Sequence, residues 1–267
     1  MAEQTQPLPL PGGLSFLTVG DGPPLAVFPG LSRRTSPAGL AEVRREELKY
    51  RSLARITGRK VHIIYRPAGI PQDTTMPQLA ALHAAALSSL TGAPIDVFGA
   101  STGGAIALQL AVDHPQVVRR LAVACAASWL GEDGRRRLRR YGERIRQGRS
   151  GAAVLASVLS GPLLRWPATA AIWLAERREQ HIDPGDMLAT IHAEVGFDVT
   201  ARLGLVAAPT LVIGGESDRA FPPHLLRRTA KAIPNAKLIL YPNRGHVGTM
   251  FDRRFGPDVA AFLNATG

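Results

Sequence analysis

The residue with the clearest potential for chemistry in this sequence is a serine with small neighbours. Ser101 lies in the stretch Gly99-Ala100-Ser101-Thr102-Gly103. The apolar residues before this stretch predict a buried strand and those after it predict a helix, so the serine occupies the bend between them. Glycines at both ends of the stretch allow a tight, strained turn and leave no Cβ atoms to clash. The Ser101 hydroxyl is therefore predicted to project outward at the N-terminus of the helix, as a nucleophile requires.

The serine alone is weak evidence for a nucleophile. A Gly-x-Ser-x-Gly spacing can arise by chance in a chain that contains 27 glycines, so its structural context has to support it. A serine hydroxyl is also a poor nucleophile at neutral pH. The interpretation therefore requires a base elsewhere in the chain, and a group that orients this base.

Strand-like and helix-like segments alternate along most of the chain around this motif. We predict helices over residues 38–57 and 76–90 and directly after Ser101. Strands are predicted over residues 14–19, 25–28, 60–65, 95–98, 117–126, 207–214 and 236–241. Strands that alternate with long helices indicate a mostly parallel sheet with helices on both faces, that is, an α/β fold.

One interval interrupts this alternation. Residues 128–204 have a wholly helical pattern and are too long for a simple crossover, so we predict a helical lid inserted after a core strand. The core then comprises residues 1–127 and 205–267. Apolar residues of the lid would either contact an apolar substrate or pack against the core; they are Leu155, Val158, Leu159, Leu163, Leu164, Trp166, Ile172, Trp173 and Leu174.

The order of these signals resembles the α/β-hydrolase fold superfamily over nearly the whole chain, and least in the lid. In that family an acidic residue follows the serine after a later strand, and a histidine comes last. Here the strand at residues 209–214 runs into Gly214-Gly215-Glu216-Ser217-Asp218, and Asn243-Arg244-Gly245-His246 follows the last strand. The resemblance implies a catalytic triad of Ser101, His246 and Asp218.

In this triad His246 would act as the general base for Ser101, and Asp218 would orient the imidazole and stabilise its charged form. Glu216 is an alternative acid, and His246 could be a simple turn residue. The remaining histidines fit strand, helix or surface positions without metal-ligand spacing; they are His62, His83, His114, His181, His192 and His224. No metal or cofactor is expected.

The resemblance also implies an oxyanion hole made by two backbone N–H groups. These belong to Thr102, directly after the nucleophile, and Leu31, after Pro29-Gly30. Relatives commonly carry His-Gly where this chain has Pro29-Gly30, so we expect an altered loop geometry. Ser32 is the alternative to Leu31 as the second donor.

The expected activity follows from the type of nucleophile. Related epoxide hydrolases and dehalogenases use a carboxylate at the elbow, whereas this chain has Ser101. We therefore expect acyl chemistry on a small molecule with an apolar portion, most simply hydrolysis of a carboxylic ester. Carbon-carbon bond hydrolysis, acyl transfer and perhydrolysis are alternatives on the same fold, as is a low-turnover ligand-binding receptor.

Composition limits the remaining classes of partner. The net charge is +11, but the arginine clusters lack aromatic or zinc-ligand patterns, so we expect no nucleic acid partner. The segment Arg135 to Arg149 could instead anchor the protein at an acidic membrane surface. Cys125, the single cysteine, is predicted to be a buried strand residue. The sequence shows no secretory leader or transmembrane segment, so a cytoplasmic location is expected, and a homo-oligomer remains open.

Overall fold

The computed structural model describes residues 6–159 and 165–265. Its centre is an eight-stranded sheet in the order β1-β2-β4-β3-β5-β6-β7-β8. The strands are Leu8–Pro9 (β1), Ser15–Val19 (β2), Pro24–Phe28 (β3), Lys60–Tyr65 (β4), Ile95–Ala100 (β5), Val118–Ala124 (β6), Thr210–Gly215 (β7) and Ala236–Tyr241 (β8).

Most of this sheet is parallel, as the sequence predicts. Strands β4, β3, β5, β6, β7 and β8 pair in parallel, whereas β2 pairs antiparallel with β4, and β1 with β2. The prediction missed β1 because a two-residue strand that contains a proline has no readable alternation. Strand β5 lies near the middle of the sheet, so the residues at its end are surrounded by neighbouring strands.

The described helices cover both faces of the sheet and fill the interval between β6 and β7. They are Leu40–Thr57 (α1), Met76–Thr91 (α2), Thr102–Asp113 (α3), Gly131–Arg146 (α4), Ala152–Leu159 (α5), Arg165–Arg178 (α6), Gly185–Gly196 (α7), Pro223–Ala232 (α8), His246–Met250 (α9) and Phe255–Leu263 (α10).

The two faces of the sheet carry separate hydrophobic cores. Along β3, Leu25 and Val27 pack with residues of α1 and α10, whereas Ala26 and Phe28 pack with residues of α2, α3 and α8. This alternation follows from the period of two along a strand. Both faces are buried, which explains why β3 reads as a continuous apolar run.

The helical interval between β6 and β7 has its own small core. It joins α4 and α7 through Tyr141, Ile145, Met187, Leu188, Ile191 and Val195. The two ends of the interval meet in an isolated antiparallel bridge between Trp129 and Asp198, a feature that the wholly helical prediction did not include. Leu163 and Leu164 lie outside the described residues, and the division into lid and core stays a prediction.

Candidate active site

Ser101 lies on a sharp bend between β5 and α3. Its backbone has φ 53° and ψ −122°, a conformation that residues with a Cβ rarely adopt and that costs about 1–3 kcal/mol. Gly99 and Gly103 have ordinary φ angles, but a Cβ on Gly103 would overlap the carbonyl of Phe28, and one on Gly99 would overlap the carbonyl of Gly103. The two glycines therefore permit close backbone approach, while the strain falls on the serine itself.

The structure brings Ser101, His246 and Asp218 together, although they lie far apart in the sequence. Ser101 follows β5, Asp218 follows β7, and His246 begins α9 just after β8. The carboxyl ends of parallel strands lie at one edge of the sheet, which explains why the three side chains are close together. His246 Nε2 lies 3.0 Å from Ser101 Oγ, and His246 Nδ1 lies 2.9 Å from Asp218 Oδ2.

The Asp218 carboxylate is fixed on both of its oxygens. Oδ1 accepts hydrogen bonds from the backbone N–H groups of Ala220 at 2.8 Å and Phe221 at 3.0 Å. The Phe221 ring also stacks on the His246 imidazole, and both members of the Asp218–His246 pair are buried. Because a carboxylate only accepts, His246 carries its proton on Nδ1, which leaves Nε2 free to accept the proton of Ser101.

Glu216, the alternative acid, takes no part in this arrangement. Its side chain is exposed, and its nearest ionic partner is Arg227, at 3.9 Å on α8. The geometry therefore places the carboxylate of Asp218, and not that of Glu216, beside His246.

Cys125 lies behind the histidine. It is buried, as predicted, but it lies just after β6, at φ 52°. Its Sγ donates a hydrogen bond to the backbone carbonyl of His246 at 3.2 Å, and burial raises the pKa of the thiol, so it stays protonated. Ligand atoms of Cys125, Asp218 and His246 all lie within 4.8 Å of one another. A thiol and a hydrogen-bonded imidazole–carboxylate pair fit a triad with a supporting residue better than a metal site.

The two predicted oxyanion donors lie next to the serine. Thr102 is the first residue of α3, so its backbone N–H has no acceptor within the helix. On the other side, a Cβ placed on Gly30 would lie 3.5 Å from Ser101 Cβ, and Leu31, the next residue, lines a cavity together with Ser101. Within the described residues, neither the Thr102 nor the Leu31 N–H donates a hydrogen bond to the protein.

Arg66 is a buried residue that the sequence interpretation missed. Its guanidinium donates to the hydroxyl of Thr190 on α7 at 2.8 Å, and to the carbonyl and hydroxyl of Ser32. Burial lowers the Arg66 pKa to about 10, so the side chain stays charged at neutral pH. Arg66 therefore connects the loop that follows Leu31 to the helical insertion.

Glu194 is the second missed residue. Its Oε2 accepts a hydrogen bond of 2.7 Å from the Thr102 hydroxyl, and its side chain is buried. Burial raises the Glu194 pKa to about 7, against the opposing effects of the Thr102 hydrogen bond and of His246 and Arg66. The available sequence signal was the pair Thr190 and Glu194, two polar residues at i and i+4 among the buried residues of α7.

Ser101 opens into a cavity of about 370 Å³. Its wall is mostly apolar and comes largely from the helical insertion, with Leu138, Tyr141, Ile145, Val154, Leu155, Val158, Leu159, Ile172, Ala175 and Met187 among the lining residues. Four of the apolar residues predicted for the insertion thus line the cavity, whereas Trp166, Trp173 and Leu174 are exposed.

Several arginines of α4 form ion pairs within the helix. Arg136 and Arg137 bind Asp133, and Arg146 binds Glu143. These pairs are typical of a solvated helix face. Among the described residues, no helix combines the length and the apolar character needed to cross a bilayer.

Comparison with known proteins extends this picture. Over 190 residues the chain is 28% identical to a protein of Pseudomonas syringae with the provisional name carbamate hydrolase RutD, covering 70% of the chain and 73% of that protein. In an alignment of 282 positions it is 29% identical to the polyketide synthase ThaQ of Burkholderia thailandensis. This alignment covers 97% of the chain but 13% of that much longer protein.

Solved structures share the fold at low sequence identity. A hydrolase from Pseudomonas aeruginosa has a TM-score of 0.78 at 21% identity, covering 99% of this chain and 100% of the other. The enol-lactonase from Burkholderia xenovorans has a TM-score of 0.76 at 19% identity, covering 97% and 100%. The sequence profile described as alpha/beta hydrolase fold matches residues 64–252, which include Ser101, Asp218 and His246. The chain therefore belongs to the α/β-hydrolase fold family.

Proposed function

We propose that this hydrolase uses Ser101, His246 and Asp218 to cleave a carboxylic ester or a related acyl substrate through an acyl-enzyme intermediate. The observation that carries the proposal is the continuous hydrogen-bonded chain from Asp218 through His246 to Ser101, which ends at an apolar cavity.

In the first half of the reaction, Ser101 Oγ attacks the carbonyl carbon while His246 Nε2 takes its proton. The carbonyl oxygen becomes an oxyanion, which accepts hydrogen bonds from the backbone N–H groups of Thr102 and Leu31. When the tetrahedral intermediate collapses, the bond to the leaving group breaks, and His246 returns the proton to that group. The acyl group is left on Ser101, and Asp218 has stabilised the transient imidazolium.

In the second half, water takes the place of the leaving group. His246 accepts a proton from the water, and the hydroxide oxygen attacks the acyl carbon through a second oxyanion in the same hole. Collapse of this intermediate breaks the bond to Ser101 Oγ, which regains its proton from His246. The carboxylic acid product leaves and the resting hydrogen-bond chain is restored.

The cavity supports a substrate with an apolar portion. Its lining from α4, α5 and α6 would exclude water from the acyl group, so we assign residues 128–204 the role of a lid over the site. Carbamates are included among the related acyl substrates because relatives with the provisional name carbamate hydrolase align with about 70% of the chain.

Hydrolysis of para-nitrophenyl esters graded from acetyl to decanoyl tests the proposal. For esters whose deacylation is slower than their acylation, we expect a burst of nitrophenol equal in amount to the enzyme. Ser101→Ala should show no activity. Ser89→Ala, a serine on α2 away from the cavity, is the matched control and should keep full activity. Equal hydrolysis by Ser101→Ala would refute the mechanism, and tight ester binding without turnover would favour the receptor alternative.

A further inference from the structure

The cavity wall contains one fully buried acid. Glu194 is 3% exposed and lines the cavity together with Ser101, Thr102 and His246. The other charged residues in the wall are partly exposed, and each has a polar contact. Arg33 donates to the backbone carbonyl of Ile182, and Arg137 binds Asp133. Glu176 accepts a hydrogen bond from Ser150, and Glu179 lies 3.8 Å from Arg34. Glu194 differs from them in its burial and in its hydrogen bond to Thr102, the residue after the nucleophile.

One of the two oxygens of this carboxyl group has a hydrogen-bond partner in the described part of the chain. Oε2 accepts from the Thr102 hydroxyl, at 2.7 Å. The other oxygen has no hydrogen bond to any residue in the described part of the chain. Since Glu194 lines the cavity, this oxygen is available to accept a hydrogen bond from a ligand group.

The link to Thr102 also determines where such a ligand group would lie. Thr102 follows the nucleophile and supplies one proposed oxyanion donor from its backbone, and it lines the same cavity as Ser101 and Glu194. A carboxyl group within hydrogen-bond distance of the Thr102 side chain lies beside the first atoms of the acyl substituent. Glu194 is therefore placed to bind a polar group of the substrate close to the reacting carbonyl.

We propose that Glu194 is a specificity-determining residue that accepts a hydrogen bond from an N–H or O–H group carried next to the scissile carbonyl. The preferred acyl groups would then be carbamoyl or hydroxyacyl groups, with any apolar portion directed along the rest of the cavity. This inference rests on the proposed serine hydrolase function and narrows its substrate class.

A matched set of esters tests the inference. Para-nitrophenyl glycolate and propionate differ by a hydroxyl in place of a methyl group, at nearly constant size. Para-nitrophenyl methoxyacetate keeps the electron-withdrawing oxygen but lacks the donor. Each kcat/KM is divided by the rate of hydroxide-catalysed hydrolysis, which removes the intrinsic reactivity of each ester.

After this correction we expect the native enzyme to favour glycolate over both other esters by about tenfold to a hundredfold. Glu194→Leu should abolish this preference, so that the corrected ratio of glycolate to propionate hydrolysis falls to about one. Glu194→Gln can still accept from Thr102, but it then presents an amide donor to the substrate. The ratio of glycolate to methoxyacetate hydrolysis should therefore fall in this variant relative to the native enzyme.

The ratios within each variant do not depend on the fraction of folded enzyme. An equal loss on all three esters in both variants would show that Glu194 only ties α7 to Thr102, and would overturn the inference. A native enzyme that hydrolyses esters without donor preference would also overturn it, while leaving the proposed function intact. Hydrolysis of none of the esters by the native enzyme would instead overturn the proposed function, and the inference with it.

Discussion

Polar clusters lie at both ends of β5, but they are arranged in different ways. At the amino end, the buried Asp96 carboxylate binds Arg59 at 3.0 Å and Arg119 at 2.6 Å, and Arg59 also binds the backbone carbonyl of Leu263. At the carboxyl end, the hydrogen-bond chain from Asp218 stops at the Ser101 hydroxyl, which faces the cavity.

The two clusters differ in what their polar groups contact. In the amino-end cluster the charges bind one another, and Arg59 also ties α10 to the sheet. At the carboxyl end the last group of the hydrogen-bond chain faces an apolar cavity. We therefore expect substitutions at the amino end to change stability, and substitutions at the carboxyl end to change activity.

The largest effect is expected from Asp218→Asn, which should lower kcat by about 10⁴-fold with little change in melting temperature. The amide favours the wrong imidazole tautomer, so Nε2 no longer accepts the Ser101 proton. Glu216→Gln is the matched control and should retain most activity, since Glu216 is exposed. Similar losses in the two variants would mean that the acid has been assigned to the wrong residue.

Asp96→Asn should destabilise the fold by about 3 kcal/mol, because it leaves the buried Arg59 without its counter-charge. Activity per folded molecule should stay at the native level. Urea unfolding gives the stability and active-site titration gives the folded fraction. A large loss of kcat in the folded fraction would contradict the separation of the two ends.

Glu194→Gln should change the pH dependence of stability. The folded pKa of Glu194 is about 7, above its ordinary value of 4.5, so the native carboxyl contributes stability at low pH that is lost as the pH rises between these values. The glutamine variant should therefore gain stability over the native chain across this interval, by roughly 3 kcal/mol in total. Melting curves from about pH 4 to about pH 8 measure the gain, and parallel curves would contradict a raised pKa.

The smallest effect concerns backbone strain at the nucleophile. Ser101→Gly should stabilise the fold by about 1 kcal/mol while abolishing activity, since glycine tolerates the positive φ of this position. Ser101→Ala keeps the Cβ and should show no such gain. If the two variants melt at the same temperature, the elbow is not strained as described.

Local patterns in the sequence predict much of this arrangement. The strand Lys60–Tyr65, the bend at Ser101 and the buried position of Cys125 all follow from short stretches of residue types. The assignment of Asp218 and His246 needed the family resemblance as well, because no local pattern shows that two loops meet.

Long-range contacts limited the prediction of the remaining features. Glu194 meets Thr102 across 92 residues, and Arg66 meets Thr190 across 124, so the sequence around one residue does not identify its partner. The order of strands in the sheet and the bridge between Trp129 and Asp198 depend in the same way on packing of the whole chain. The usable sequence signal for these contacts was the pair of polar residues Thr190 and Glu194, at helical spacing in the buried helix α7.

The central claim is that Ser101 is an activated nucleophile, and intact mass after incubation with a fluorophosphonate probe tests it most directly. We expect a single adduct on the native protein, none on Ser101→Ala, and strongly slowed labelling of His246→Ala, because the imidazole removes the serine proton. A folded native protein without an adduct, or an adduct that persists on Ser101→Ala, would contradict the claim.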